Sequence, residues 1–196
     1  MSPPQLPPPL PSELMRSSTN DEVYATLAGS IDGDAVRRVF ATVATAGANA
    51  VSCIHILIQS LGGIVGDGVC LYNFFRTLPI EIAVYNSGGV HSAAAIAYMG
   101  GKRRITSARA TFMLHMTSVG AQTAKAAGLE SLTKSISLDD ARIESILREH
   151  LTLDEGDWKA LPYRDLWLSG EEAVKAGLAD EIGEFSPPPG TRLYTI

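Results

Sequence analysis

A serine, a histidine and an aspartate, which together can carry acyl transfer, occur in the order Ser92, His115, Asp165. A serine hydroxyl is a weak nucleophile at neutral pH. It needs a base within hydrogen-bond reach and a third group that orients the base. Ser92 lies in Gly88-Gly89-Val90-His91-Ser92-Ala93-Ala94-Ala95, between an apolar strand-like run and an alanine-rich helical run. Its hydroxyl can therefore project from a loop-to-helix junction, and the alanines let a substrate backbone approach. An ordinary N-cap serine fits the same pattern. His115 ends the run Thr111-Phe112-Met113-Leu114, and Asp165 precedes Leu166-Trp167-Leu168, so both fall at strand ends. An acid there can be half-buried, as a histidine orienter must be; the local alternative is an Asp165–Arg164 pair. His91, next to Ser92, is a rival base. Adjacent residues at a helix start rarely present side chains to each other, which favours His115. The glycine pair Gly62-Gly63 closes the strand before this one. Its backbone N–H groups can face a developing oxyanion, although a strand-to-helix turn alone also calls for glycine. A Ser-Lys mechanism is less well supported, because Lys102 and Lys125 stand in no site pattern. The order points to acyl transfer on peptides or esters.

The elements that would position these residues alternate between strand and helix. Val23–Leu27 reads as a strand, and residues 34–47 carry Val36, Val39, Phe40 and Val43 on one helix face. Cys53–Ile58 is a continuous apolar run suited to a buried strand. Ser60–Gly63 is a tight loop and residues 65–77 are helical, with Val65, Val69, Tyr72 and Phe75 on one side. A strand follows over Ile80–Tyr85, a loop over Asn86–Val90 and a helix over Ser92–Met99. Short strands are expected near Ile105 and over Thr111–Leu114, a turn over 117–122 and a long helix over about 123–150. Thr152 with Glu155, and Ser169 with Glu172, have capping-box spacing, and Gly177 suits a helix C-terminus. Repeated strand–helix units imply a largely parallel sheet covered by helices.

Composition bounds the reading. The 196 residues suggest one domain, and 45% hydrophobic against 19% charged residues implies a packed core. A net charge of -5 argues against nucleic acid, which needs a concentrated basic face. Lys102-Arg103-Arg104, the sole basic cluster, reads as a solvated strand edge. Cys53 and Cys70 both fall in apolar segments and read as buried thiols, and no zinc spacing exists. No apolar run approaches the ~20 residues of a membrane helix, and the N-terminus lacks the pattern of a signal peptide. The expectation is a cytoplasmic protein with no membrane, metal or cofactor requirement. Six prolines in residues 3–11 and three at 187–189 divide the chain into a disordered arm (1–20), a folded domain (21–186) and a short tail (187–196).

Taken together, the segments resemble the Clp protease proteolytic-subunit (ClpP) family, within the wider ClpP/crotonase fold. That pattern runs strand, Ser-Pro-Gly-Gly, helix, strand, Gly-x-x-x-Ser with small residues, helix, strand, His, a protruding handle, then Arg-Asp before Leu-Ser-x-x-Glu-Ala. This chain has Ile58-Gln59-Ser60-Leu61-Gly62-Gly63, the Gly88–Ala95 stretch, Phe112-Met113-Leu114-His115, and Arg164-Asp165-Leu166-Trp167-Leu168-Ser169-Gly170-Glu171-Glu172-Ala173. The match covers roughly 23–183, and the stretch around Asp165 is its most specific part.

The resemblance implies an α/β fold of repeated β-β-α and βα units, a largely parallel sheet and a handle helix. It implies a serine endopeptidase with Ser92 as nucleophile, His115 as general base, Asp165 as orienter, and the N–H groups of Gly63 and Ala93 as oxyanion donors. It implies homo-oligomeric rings of seven, stacked as a double ring around a chamber, with Arg164 at ring contacts. Its substrates would be peptides or unfolded proteins, fed by an ATP-driven AAA+ unfoldase. Departures from the pattern are Leu61 in place of proline, Met116-Thr117 in place of Gln-Pro, His91 in place of a small residue, and a proline-rich start without the axial-loop pattern. Two alternatives follow from these observations. One is a non-catalytic ring subunit that assembles with an active paralogue. The other is a crotonase-fold acyl-CoA enzyme, which would want acids near the site, and residues 86–100 contain none.

Overall fold

The computed structural model describes residues 22–47, 51–118, 120 and 125–196. The arm expected over 1–20 lies outside them, as do part of the turn expected over 117–122 and the first two residues of the long helix that follows. The first units are β1 (Glu22–Ala28), α1 (Gly33–Gly47), β2 (Cys53–Ser60), α2 (Val65–Thr77), β3 (Glu81–His91) and α3 (Ala93–Met99). They continue with β4 (Arg103–Thr106), β5 (Thr111–Leu114), α4 (Ala126–His150), α5 (Glu155–Ala160), β6 (Leu166–Ser169), α6 (Gly170–Ala176), β7 (Glu181–Ile182) and β8 (Leu193–Thr195).

The strands form an eight-stranded mixed sheet ordered β6-β5-β3-β2-β1-β8, with β4 beside β3 and β7 beside β4. Every pairing is parallel except β5 with β6. The apolar run of β2 is explained by burial on both faces. Ile54, Ile56 and Ile58 have no exposed surface and join the main core with Leu71, Phe75, Tyr98 and Phe112. Cys53 and Leu57 point the other way, into a smaller cluster with Ala83, Tyr85, Ile105 and Phe185. Each fully buried large side chain contributes about 1.5–3 kcal/mol. Among the described residues no helix is long and apolar enough to cross a membrane.

β3 runs six residues beyond its expected end, through the Asn-Ser-Gly-Gly stretch whose composition reads as a loop. Pairing on both edges accounts for the difference. Residues Ala83–Asn86 pair with β4 and Gly89–His91 with β5, both on the edge opposite β2. Asn86, 1% exposed, holds the changeover. Its Nδ2 donates to the Thr111 carbonyl at 2.9 Å, and its Oδ1 accepts from the Gly88 N–H at 3.0 Å.

Two further differences concern ends. The capping box expected at Thr152 is not formed: the N-cap of α5 is Asp154, which accepts from the Asp157 N–H at 2.7 Å, while the Thr152 N–H donates to the Ala176 carbonyl. The Ser169/Glu172 box is present, and Gly177 closes α6 at φ 84°. The stretch 187–196, read as a tail, contributes β8 at the sheet edge and buries Ile196 in the core. Its triple proline conceals the apolar alternation that follows.

Candidate active site

β3 and β5 converge on one point. β3 delivers Ser92 directly into α3, and β5, paired with β3 through His91 and Met113, delivers His115 one residue past its end. Ser92 has φ 54° and ψ −127°, the one positive φ of a non-glycine residue among those described. Such a conformation costs on the order of 1–3 kcal/mol and persists only where neighbours enforce it. Here the Ser92 N–H is held by the Met113 carbonyl at 2.7 Å. The hydroxyl makes no cap hydrogen bond to α3. It lies instead 2.7 Å from His115 Nε2. The N-cap reading of Ser92 is therefore not what the fold uses.

Gly62 and Gly63 approach from the other side. Ile31 brackets them: its N–H donates to the Gly62 carbonyl at 2.9 Å and its carbonyl accepts from the Ile64 N–H at 2.8 Å. A parallel bridge of this kind leaves the N–H of the middle residue, Gly63, pointing away from Ile31. Gly62 has φ 106°, and a Cβ there would lie 2.7 Å from Ser92 Cβ. A Cβ on Gly63 would strike the Ile31 carbonyl oxygen. Both positions need glycine because backbone packs on backbone. Ala93 opens α3, so its N–H has no intrahelical acceptor. It is set in place by Gly68 of α2, where any Cβ would meet the Ala93 carbonyl at 2.5 Å. Among the described residues neither the Gly63 nor the Ala93 N–H is engaged in a hydrogen bond.

Gly63, Ser92, Ala93 and His115 line one cavity of about 130 Å³. Its walls are otherwise mainly apolar, with Ile96 and Leu114 on one side and Ile143 and Leu147 of α4 on another. The two α4 residues were not singled out in the sequence; their i, i+4 spacing in a largely polar helix was the available signal. A hydroxyl, an imidazole nitrogen and two unengaged N–H groups around one cavity can pass a proton and hold negative charge on an oxygen.

The other sequence candidates fall elsewhere. Asp165 is exposed and makes no hydrogen bond or ion pair among the described residues. Arg164 donates to Asp157 at 3.3 Å, not to Asp165. The β5–β6 ladder ends at Leu114 opposite Leu166, and His115 and Asp165 are the next residues beyond that last pair. His91 contacts Thr111 Oγ1 at 3.3 Å and lies edge-on to Trp167 at 5.1 Å, and burial lowers its pKa. Lys102 donates to the Leu78 carbonyl at 2.6 Å, and Lys125 is an exposed residue at the start of α4.

Comparison with known proteins places the chain. The model of the Clp protease family matches residues 14–186. The chain is 30% identical over 131 residues to the ATP-dependent Clp protease proteolytic subunit 2 of Pseudomonas aeruginosa, covering 66% of this chain and 65% of that protein. It is 28% identical over 131 residues to the ATP-dependent Clp protease proteolytic subunit of Bacteroides thetaiotaomicron, covering 66% of this chain and 59% of that protein. The matched stretch thus spans less than two thirds of either relative's length. With a mixed sheet under helices and a family match over most of its length, this chain belongs to the Clp protease family.

Proposed function

We propose that the protein is a serine endopeptidase whose catalytic set is Ser92, His115 and Asp165, with the N–H groups of Gly63 and Ala93 as oxyanion donors. The observation that carries this reading is the 2.7 Å contact between Ser92 Oγ and His115 Nε2 inside the cavity that also holds Gly63 and Ala93. In this mechanism Ser92 Oγ attacks the scissile carbonyl carbon while His115 Nε2 takes its proton. The carbonyl oxygen becomes an oxyanion between the two N–H groups, an interaction of which one donor is worth about 10²–10³ in rate. The imidazolium returns the proton to the departing amine. A water then attacks the acyl-enzyme by the same route.

Accepting the serine proton at Nε2 requires the other hydrogen on Nδ1, and that hydrogen needs an acceptor. Asp165 is our assignment for it, supported by the positions of His115 and Asp165 as the next residues beyond the last β5–β6 pair, Leu114 with Leu166. Directly opposed residues in an antiparallel pair have Cβ atoms about 4.5–5.5 Å apart, within reach of a short carboxylate. The relatives named above are described as proteolytic subunits and as ATP-dependent. We extend both to this chain: a ring-forming homo-oligomer acting on peptides or unfolded proteins, supplied by an AAA+ unfoldase. The cavity wall of Ile96, Leu114, Ile143 and Leu147 suits an aliphatic side chain on the residue before the scissile bond.

A fluorophosphonate probe with intact-mass and peptide mapping tests this reading. Labelling is expected at Ser92, lost on heating and absent in Ser92→Ala, together with loss of peptide hydrolysis. Full hydrolysis by Ser92→Ala would refute it. The unbonded Asp165 favours one second reading, a non-catalytic ring subunit. Co-assembly with an active paralogue and no labelling in the assembled state would establish that instead.

A further inference from the structure

His115 stands just outside the sheet. The last ladder pair of β5 is Leu114 with Leu166, so the backbone of His115 is not fixed by a strand partner. The next anchor comes two residues on, where the Thr117 N–H donates to Asp140 Oδ1 at 2.7 Å. Past the strand end, His115 is therefore held by the packing of Met116 on the core and by one carboxylate on α4. At 2.7 Å the Thr117–Asp140 contact is a short, well-formed N–H···O hydrogen bond.

The same carboxylate also fixes the opposite wall. Asp140 precedes Ile143 by three residues and Leu147 by seven, so all three lie along one face of α4. Ile143 and Leu147 line the cavity that Ser92 and His115 share. Asp139, the neighbouring acid, is paired with Arg142 and does not duplicate the contact. A second observation shows that the segment is held against a cost. Among the described residues the Thr117 hydroxyl oxygen is buried with no hydrogen-bond partner, an arrangement unfavourable in itself. Without Asp140 the segment would gain by moving to give that hydroxyl a partner, and His115 would move with it.

We propose that Asp140 is a positioning residue: through the Thr117 N–H it holds His115 Nε2 on the Ser92 hydroxyl and α4 on the cavity. The proposal rests on the assignment of Ser92 and His115 as nucleophile and base. Its chemistry is a backbone hydrogen bond, so an acceptor at this position is needed and a charge is not.

The test compares the parent, Asp140→Ala and Asp140→Asn in the full chain, reading the second-order rate of fluorophosphonate labelling, kcat and KM on a fluorogenic peptide, and the unfolding midpoint. A displacement near 1 Å costs about 10²-fold in rate. Asp140→Ala is expected to label at least ~10-fold more slowly and to lose kcat more than KM. Asp140→Asn, whose Oδ1 still accepts from Thr117, is expected to stay within ~3-fold of the parent. Equal labelling of parent and Asp140→Ala overturns the proposal and leaves the Ser92 assignment standing. Equal impairment of both variants also overturns it, because charge or folding would then be what matters. A parent that never labels at Ser92 overturns the underlying assignment and this proposal with it. Should Asp140→Ala fail to fold, Asp140→Ser, whose hydroxyl is too short to span the gap, is read by the same criteria.

Discussion

Gly62→Ala is the sharpest test of how the site is built. A methyl group on Gly62 would lie 2.7 Å from Ser92 Cβ and 3.1 Å from its Oγ, where ordinary contacts begin at 3.4 Å. Ser92 must then retreat by about 0.7 Å, or the loop must open by as much, and a shift near 1 Å costs about 10²-fold in rate. Ser92 has little freedom to comply. Its N–H is bound to Met113 at 2.7 Å, and its φ of 54° already lies outside the ordinary range. A retreat of that size away from His115 would stretch their 2.7 Å contact beyond normal hydrogen-bond length. Gly62 itself has φ 106°, so alanine also brings backbone strain of on the order of 1–3 kcal/mol. The expected result is labelling by a fluorophosphonate roughly 10- to 10²-fold slower, with circular dichroism retained and a modest drop in unfolding midpoint. A Gly62→Ala protein that labels as fast as the parent would refute the proposed role of this contact.

Acid should weaken the fold through its buried histidines. Burial is the first cause that lowers the pKa of His55, His91 and His150, and for His150 the Arg104 guanidinium, which contacts Nδ1 at 3.1 Å, adds to it. A lowered folded pKa means the unfolded chain binds protons first, so stability is complete above the ordinary value of ~6.5 and is lost as pH falls from there through the folded pKa. Thermal melts between pH 8 and 5 should show this decline, and His150→Gln should flatten it; a midpoint independent of pH across that range would contradict it. Ser169→Ala removes the side-chain half of the α6 capping box, leaving the backbone N–H of residue 169 on Glu172, and should cost about 1 kcal/mol, measured by urea titration. Phe112→Ala empties a fully buried position that packs edge-on to Tyr98 at 5.1 Å, and should cost about 3–5 kcal/mol in the same assay.

Much of this was legible because local signals agreed with the tertiary result. α2 is helical over the residues that its apolar spacing marked, and the Ser169/Glu172 box and Gly177 bound α6 as their residue types suggested. The misses share a cause. Asn86–Val90 has the composition of a turn, but both edges of that backbone are paired by strands distant in sequence. Thr152 has capping spacing with Glu155, yet its N–H is spoken for by Ala176 of a later helix. Around the site, the serine, the histidine and the glycine pair were readable from their places at element ends. Asp140 was not, because it binds a backbone N–H across 23 residues and leaves no pattern of side-chain types. Nor could the sequence show that Asp165 is exposed in the isolated chain, since burial at a strand start depends on what packs against that edge.

The backbone of Ser92 has a consequence for how this sequence can drift. At φ 54° and ψ −127° a glycine would sit without strain, so Ser92→Gly should raise the melting temperature while removing the hydroxyl. Stability and the proposed chemistry of Ser92 therefore select in opposite directions at this one codon. A gene copy released from the need for the hydroxyl meets no folding penalty there and gains one step of robustness by losing it. Among sequences of common descent, glycine at position 92 over an intact core would mark lineages that kept the scaffold after abandoning its reaction. Serine there would mark lineages in which selection still opposes the more comfortable residue.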